Sequence, residues 1–128
     1  MVITIIAVLA IVGITAFSGA QASARDGRRR QDIDSIASAM ETHYNAVAGT
    51  YAALDGTFFA SGTVPTDPDP NAVYPVNLTN GSKGFNTCAS LENKNGNSSN
   101  GNSNPATPPA YSVASANGYY CKSSQQSQ

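Results

Sequence analysis

Few side chains in this sequence have the type and spacing that catalysis requires. His43 is the only histidine among the 128 residues, and no cysteine or second histidine lies at metal-ligand spacing from it. Nucleophilic catalysis also needs a base beside the nucleophile, and no such pair stands out. The sequence therefore predicts that the protein is not an enzyme and uses no cofactor, and that His43 lies on a helix surface.

A short acidic stretch imitates the start of a calcium-binding loop. Asp67, Asp69 and Asn71 have the alternating spacing of such a loop, but the required glycine and the distal glutamate are missing. Pro68 and Pro70 stand between the carboxylates and restrict the backbone. We therefore expect a rigid turn here and no metal.

Two cysteines are the remaining candidates for chemistry. Cys88 and Cys121 lie in two segments with strand-like patterns, and two cysteines in a small exported domain are typical of a disulfide. Closing a loop of this length stabilises a fold by about 3–4 kcal/mol. The alternative is a pair of buried free thiols.

The charges that surround these residues are very unevenly distributed. Only 12% of the chain is charged and the net charge is −1, which excludes a basic nucleic-acid-binding domain. Residues 1–24 carry no charge. Seven charges then fall within 25–34, namely Arg25, Asp26, Arg28, Arg29, Arg30, Asp32 and Asp34.

The uncharged segment 1–24 is apolar enough to predict a transmembrane helix half, since about 20 residues of helix cross a hydrocarbon core. A cleaved signal peptide and a plain single-pass anchor are alternatives. No Lys or Arg precedes the apolar run, although a signal peptide has a basic start. We favour a helix that is both a membrane anchor and a packing element.

After Arg30 the apolar residues adopt helical spacing and predict an amphipathic second half over 25–50. Six residues form one narrow stripe that we expect to pack on the head of the protein: Ile33, Ile36, Ala37, Met40, Tyr44 and Val47. No proline interrupts residues 1–48, so the sequence predicts a single helix that ends at Gly49 and is roughly 70 Å long.

The remainder, 51–128, predicts an extracytoplasmic globular head rich in Asn, Ser, Gly and Pro. Strand patterns occur at 72–79, 85–92 and 118–123. The segment 93–110 predicts a solvated low-complexity loop. The expected fold class is α+β, with the long N-terminal helix packed on a small three-stranded antiparallel sheet.

Three stretches of the chain resemble the type IV pilin and type II secretion pseudopilin family. VITIIAVLAIVGI resembles the interior of the family's N-terminal helix, RDGRRRQDIDSIASAMETHYNAVAGTY (25–51) its continuation in short bacterial pilins, and VPTDPDPNAVYPV (64–76) the connection before the pilin sheet. Pilins begin with a leader and a glutamate early in the mature chain. This sequence begins inside the apolar run, and we expect that the true start lies upstream of Met1. The alternative is an atypical subunit that lacks the glutamate.

The resemblance implies a pilin-like fold and a structural subunit that polymerises through its N-terminal helix. The side chains expected in the filament core are Val2, Ile3, Ile5, Ile6, Val8, Leu9, Ile11, Val12, Ile14 and Phe17. The seven charges at 25–34 are expected to form a belt between subunits, and the alternative is a solvated collar beside the membrane.

The implied partners are further copies of the chain, the membrane before assembly, a leader peptidase, an inner-membrane platform and an ATPase. The implied location is the inner membrane, where the precursor passes once, and then a surface filament for attachment, twitching motility or DNA uptake. A secretion pseudopilin is the alternative within the family. A membrane-anchored binding module that never polymerises is the alternative from another class.

Overall fold

A computed structural model describes residues 2–99, 101 and 118–125, without the side chains of Val2 and residues 12–16. The secondary structure is the helix α1 (Val2–Thr42), a 3-10 turn (Gly56–Phe58), and the strands β1 (Val76–Thr79), β2 (Gly84–Ser90) and β3 (Tyr119–Ser123). The strands form one antiparallel sheet in the order β1-β2-β3. The predicted α+β layout, a long helix packed on a three-stranded antiparallel sheet, is confirmed.

The helix α1 runs without a break through the apolar and the amphipathic halves but ends at Thr42, before the predicted stop at Gly49. Its end is fixed by Asn45, whose side-chain Oδ1 accepts hydrogen bonds from the backbone N–H groups of Val47 and Ala48, both at 3.0 Å. Such local bonds of asparagine compete with the helical pattern. Gly49, with φ +67°, closes the resulting loop, in which Asn45 and Thr50 pair.

The stripe on the second half of α1 packs on the sheet as far as the helix extends. Ile33, Ile36 and Met40 are fully buried, and the last two pack with Tyr51 and Phe85 in the hydrophobic core. Ala37 and Tyr44 are partly buried against the same core. Val47 is 99% exposed; its assignment to the stripe was wrong, because the chain leaves the helix before reaching it.

The turn of the hairpin between β1 and β2 lies beside the segment that follows the end of α1. The turn uses left-handed backbone at Asn80, Gly81 and Ser82, and the backbone N–H of Tyr51 donates to the Ser82 carbonyl at 2.7 Å. From this turn β2 runs back along α1 toward the charged segment. The predicted first strand began too early, since Pro75 lacks the N–H that a strand ladder needs.

A disulfide joins the central strand to its neighbour, as predicted, so the alternative of two free thiols is wrong. Cys88 and Cys121 stand directly opposite each other in the register of β2 and β3. The side chain of Asn97 accepts from the backbone N–H of Cys121 at 2.7 Å and donates to its carbonyl at 2.8 Å. Ser98 is buried against the same strand. Within the predicted loop 93–110, Asn97 and Ser98 are therefore packed on the sheet, whereas 93–95 and Ser99 are exposed. Most of the rest of this loop lies outside the described residues.

Candidate functional site at the helix–head junction

The first half of α1 presents an apolar surface that no part of the described head covers. Seven of the side chains assigned to a filament core are 60–83% exposed: Ile3, Ile5, Ile6, Val8, Leu9, Ile11 and Phe17. The side chains of Val2, Val12 and Ile14, which share that assignment, lie outside the described residues. The sequence predicted a membrane span at 1–24. In the part of the chain that the structure describes, no helix is long and apolar enough to cross a membrane.

Arg29 is the centre of the contact between α1 and the head, and its side chain is only 7% exposed. Its guanidinium donates to both carboxylate oxygens of Asp67, at 3.0–3.2 Å. It also donates to Glu92 at 2.9 Å and to Asp26, one turn earlier on α1, at 3.2 Å. Its hydrogen bonds to Asp67 foremost, and then those to Glu92 and Asp26, raise the pKa of the guanidinium above its ordinary value.

Asp26 is the second buried charge at the contact between α1 and the head, which we call the junction. Its carboxylate accepts hydrogen bonds from the backbone N–H groups of Glu92 and Asn93, both at 2.9 Å. Burial by itself raises the pKa of Asp26, but these two bonds and the one from Arg29 more than offset it, so that the pKa lies below its ordinary value. These bonds hold the backbone just beyond the end of β2 against α1.

Glu92 binds two arginines of α1 on the exposed side of the junction. Arg25 donates to both of its carboxylate oxygens, at 2.6 and 2.7 Å, and Arg29 to one of them. These hydrogen bonds, Arg25 first, lower the pKa of Glu92 to about 2. A planar guanidinium and a carboxylate match in two parallel bonds, which fixes the angle between α1 and the head as well as the distance.

The remaining charges of 25–34 also find partners in the same chain. The Tyr74 hydroxyl donates to Asp32 at 2.8 Å, and burial together with that carboxylate raises the pKa of Tyr74. Asp34 pairs with Lys122 at 3.4 Å, and Arg30 donates to Asn95 at 2.7 Å. Arg28 is largely exposed and lies 3.9 Å from Asp32.

Six of the seven residues therefore hold α1 onto its own head, whereas Arg28 reaches only towards Asp32 on α1 itself. Pairing between subunits stays a prediction, and the exposed Arg28 is the side chain most open to it. Sequence reasoning missed the partners Asp67 and Glu92. A signal for them was present, since only eight charges follow Asp34 in the sequence, and Asp67 and Glu92 are among the few carboxylates there that could pair with the arginines of the helix.

The other residues singled out for chemistry have structural surroundings. His43 stacks on Phe58 with ring centroids 4.0 Å apart, and its Nδ1 is 2.9 Å from the Ala39 carbonyl. Asp67 is occupied by Arg29, and Asp69 accepts from the backbone N–H of Asn71 at 2.9 Å. Within the described residues no group of three or more His, Cys, Asp and Glu is placed to hold a metal ion.

Comparison with protein families, with characterised proteins and with solved structures finds no significant match for this chain. The described structure consists of a continuous helix whose second half is joined to a small disulfide-bonded head and whose first half leaves its apolar side chains exposed.

Proposed function

We propose that the chain is a structural subunit of a type IV pilus-like filament and that it polymerises through the first half of α1. The observation that carries this proposal is the exposed apolar surface between Ile3 and Phe17. Soluble monomers rarely leave apolar patches of this extent open to water, and such patches indicate an interaction site. Identical helices packed side by side would cover the patch on every subunit.

The junction supports a regular polymer. A helical filament needs the same heterologous contact at each step, and this requires that every head has the same orientation relative to its helix. Arg29, buried among Asp26 and Asp67, supplies that rigidity. Gly19 has no neighbouring atom within 4 Å of a Cβ built on it, so a second helix can approach closely at this point, as small residues allow in apolar helix pairs.

The resemblance at 25–51 and 64–76 also implies how the subunit would be processed and assembled. A single-pass precursor would wait in the inner membrane, a leader peptidase would process it, and a membrane platform with an ATPase would extract it into the filament. Replacing lipid contacts by contacts between helices yields little net hydrophobic free energy. Extraction from the membrane would therefore need an energy source, which the ATPase would supply. The finished filament would serve surface attachment, twitching motility or DNA uptake.

The proposal is tested by placing a charge on the apolar surface. We expect Leu9→Asp to abolish filaments that can be sheared from cells, since burying an unpaired carboxylate among packed apolar helices is strongly unfavourable. Ala52→Asp introduces the same charge on the exposed surface of the head and is the matched control. Filaments are counted by electron microscopy, and protease resistance of the disulfide-bonded head shows that each variant folds.

Filaments of Leu9→Asp at the level of Ala52→Asp would contradict the proposed polymerisation surface. Recovery of the unmodified chain only as a monomer in detergent would contradict the filament itself and favour a membrane-anchored binding module.

A further inference from the structure

The end of the molecule beyond α1 carries an exposed apolar loop of fixed shape. In the loop 45–50, Val47 is 99% exposed, although Asn45 and the left-handed Gly49 hold the backbone in one conformation. The turn 80–83 lies beside this loop, because Tyr51 donates its backbone N–H to the Ser82 carbonyl. We call the loop 45–50 and the turn 80–83 together the distal tip.

The opposite end of the head contains an open cleft of about 650 Å³ at the helix–head junction, which we call the proximal cleft. Its walls include Arg25, Pro68, Asp69, Pro70, Val73 and Leu91. Val73 is 81% exposed there. Val47 and Val73 are the two large apolar side chains that the described head exposes to this degree. One lies on the tip and the other in the cleft.

The two surfaces are also complementary in charge. Lys83 on the tip and Asp69 in the cleft are both exposed. Among the described residues neither of them takes part in an ion pair. One carboxylate oxygen of Asp69 accepts a hydrogen bond from the backbone N–H of Asn71. This bond does not neutralise the carboxylate, so its negative charge remains at the mouth of the cleft.

The positions of the tip and the cleft favour a chain of subunits rather than a closed dimer. They lie near the two ends of the amphipathic half of α1, and Arg25 and Thr42 are about 25 Å apart along a helix. A contact between two different surfaces at opposite ends is heterologous, and it generates an open polymer where the rotation between subunits does not close a ring. The helices of the joined subunits would then point in the same direction, as the proposed filament requires.

We propose, resting on the filament function above, that the distal tip of one subunit docks into the proximal cleft of a second copy of the chain. Val47 packs against Val73 in this contact, and Lys83 of the incoming subunit pairs with Asp69. The contact links heads along the filament axis, in addition to the lateral packing of the apolar helix halves.

Cysteine cross-linking in assembled filaments tests this contact directly. The probe is a short bismaleimide, which does not reach the buried and disulfide-bonded Cys88 and Cys121. With Val47→Cys and Val73→Cys in one chain, we expect a ladder of dimers, trimers and longer products on denaturing gels. Val47→Cys combined with Ala60→Cys, which lies on the exposed surface of the head, is the control and is expected to stay monomeric.

A charge test provides a second measurement. We expect Lys83→Glu to lower filament yield roughly tenfold, since like charges are brought together across the contact. Adding Asp69→Asn, which keeps the oxygen that caps Asn71, should restore most of that loss. The reversal Lys94→Glu, at an exposed lysine outside both surfaces, should leave the yield unchanged.

Normal filaments without a ladder, a ladder in the control pair, or dimers from Val47→Cys alone would each overturn the docking while leaving the filament function intact. Absence of filaments from the unmodified chain would instead overturn the proposed function, and the docking with it.

Discussion

Replacing Arg29 by methionine removes the charge at the centre of the junction while keeping an unbranched side chain of similar length. The change leaves Asp26 and Asp67 buried with no cation between them, and breaking a buried ion pair on one side costs about 3–5 kcal/mol. Both carboxylates keep backbone partners, since Asp26 accepts from Glu92 and Asn93 and Asp67 accepts from Asp69 at 2.8 Å. We therefore expect a loss near the lower end, about 3 kcal/mol.

The free energy of unfolding is measured by urea titration of the full chain in a mild detergent with the disulfide intact. Tyrosine is the optical probe, because the sequence has six tyrosines and no tryptophan. With a urea dependence of about 1–3 kcal/mol per molar for a small domain, the expected loss moves the unfolding midpoint by about 1–3 M. This is a large share of the roughly 5–15 kcal/mol that holds a typical domain together.

Arg25→Met is the matched control for this change. Both arginines bind Glu92, at 2.6 and 2.9 Å, but Arg25 is 41% exposed and Arg29 only 7%. Exposed ion pairs contribute little to stability, so we expect the midpoint of Arg25→Met to stay close to that of the unmodified chain. Equal unfolding midpoints for Arg29→Met and Arg25→Met would refute the reasoning that Arg29 stabilises the contact between α1 and the head because it is buried.

Two further perturbations act on the same head. The folded pKa of Glu92 is about 2 against an ordinary 4.5, and that of Asp26 is also lowered. The folded head therefore binds fewer protons than the unfolded chain, and urea midpoints should be constant above about pH 5 and fall as the pH drops toward 2. A midpoint that rises on acidification would contradict this sign. Replacing Cys88 and Cys121 by alanine should cost about 3–4 kcal/mol through the lost loop constraint, which the same titration measures. An unchanged midpoint would mean that the disulfide does not stabilise the head.

Local patterns in the sequence were sufficient to predict the elements of this fold. Alternating residues and flanking turn signals located all three strands, and the spacing of Ile33, Ile36 and Met40 identified the buried face of α1. The helix end was placed too late because the apolar phase continues to Val47. The side chain of Asn45 accepts hydrogen bonds from two backbone N–H groups that would otherwise continue the helix. The spacing of apolar residues gives no information about such side-chain hydrogen bonds.

The junction was harder to predict, because its partners are far apart in sequence. The cluster of charges at 25–34 was recognised as a unit, but Arg29 meets Asp67 and Glu92 only after the connection 64–75 and β2 have folded back along α1. Nothing in the spacing of a charged helix segment specifies whether its partners come from the same chain or from another. The exposed apolar half carries the same ambiguity, since a helix that is apolar all round is suited both to lipid and to a bundle of its own copies.

The central claim, polymerisation through the first half of α1, is tested most directly by a helical reconstruction of sheared surface filaments from electron cryomicroscopy. We expect the segments from Ile3 to Phe17 of neighbouring subunits to pack together at the filament axis, with the disulfide-bonded heads outside. Filaments built by contacts between heads alone, with these segments outside the axis, would contradict the claim.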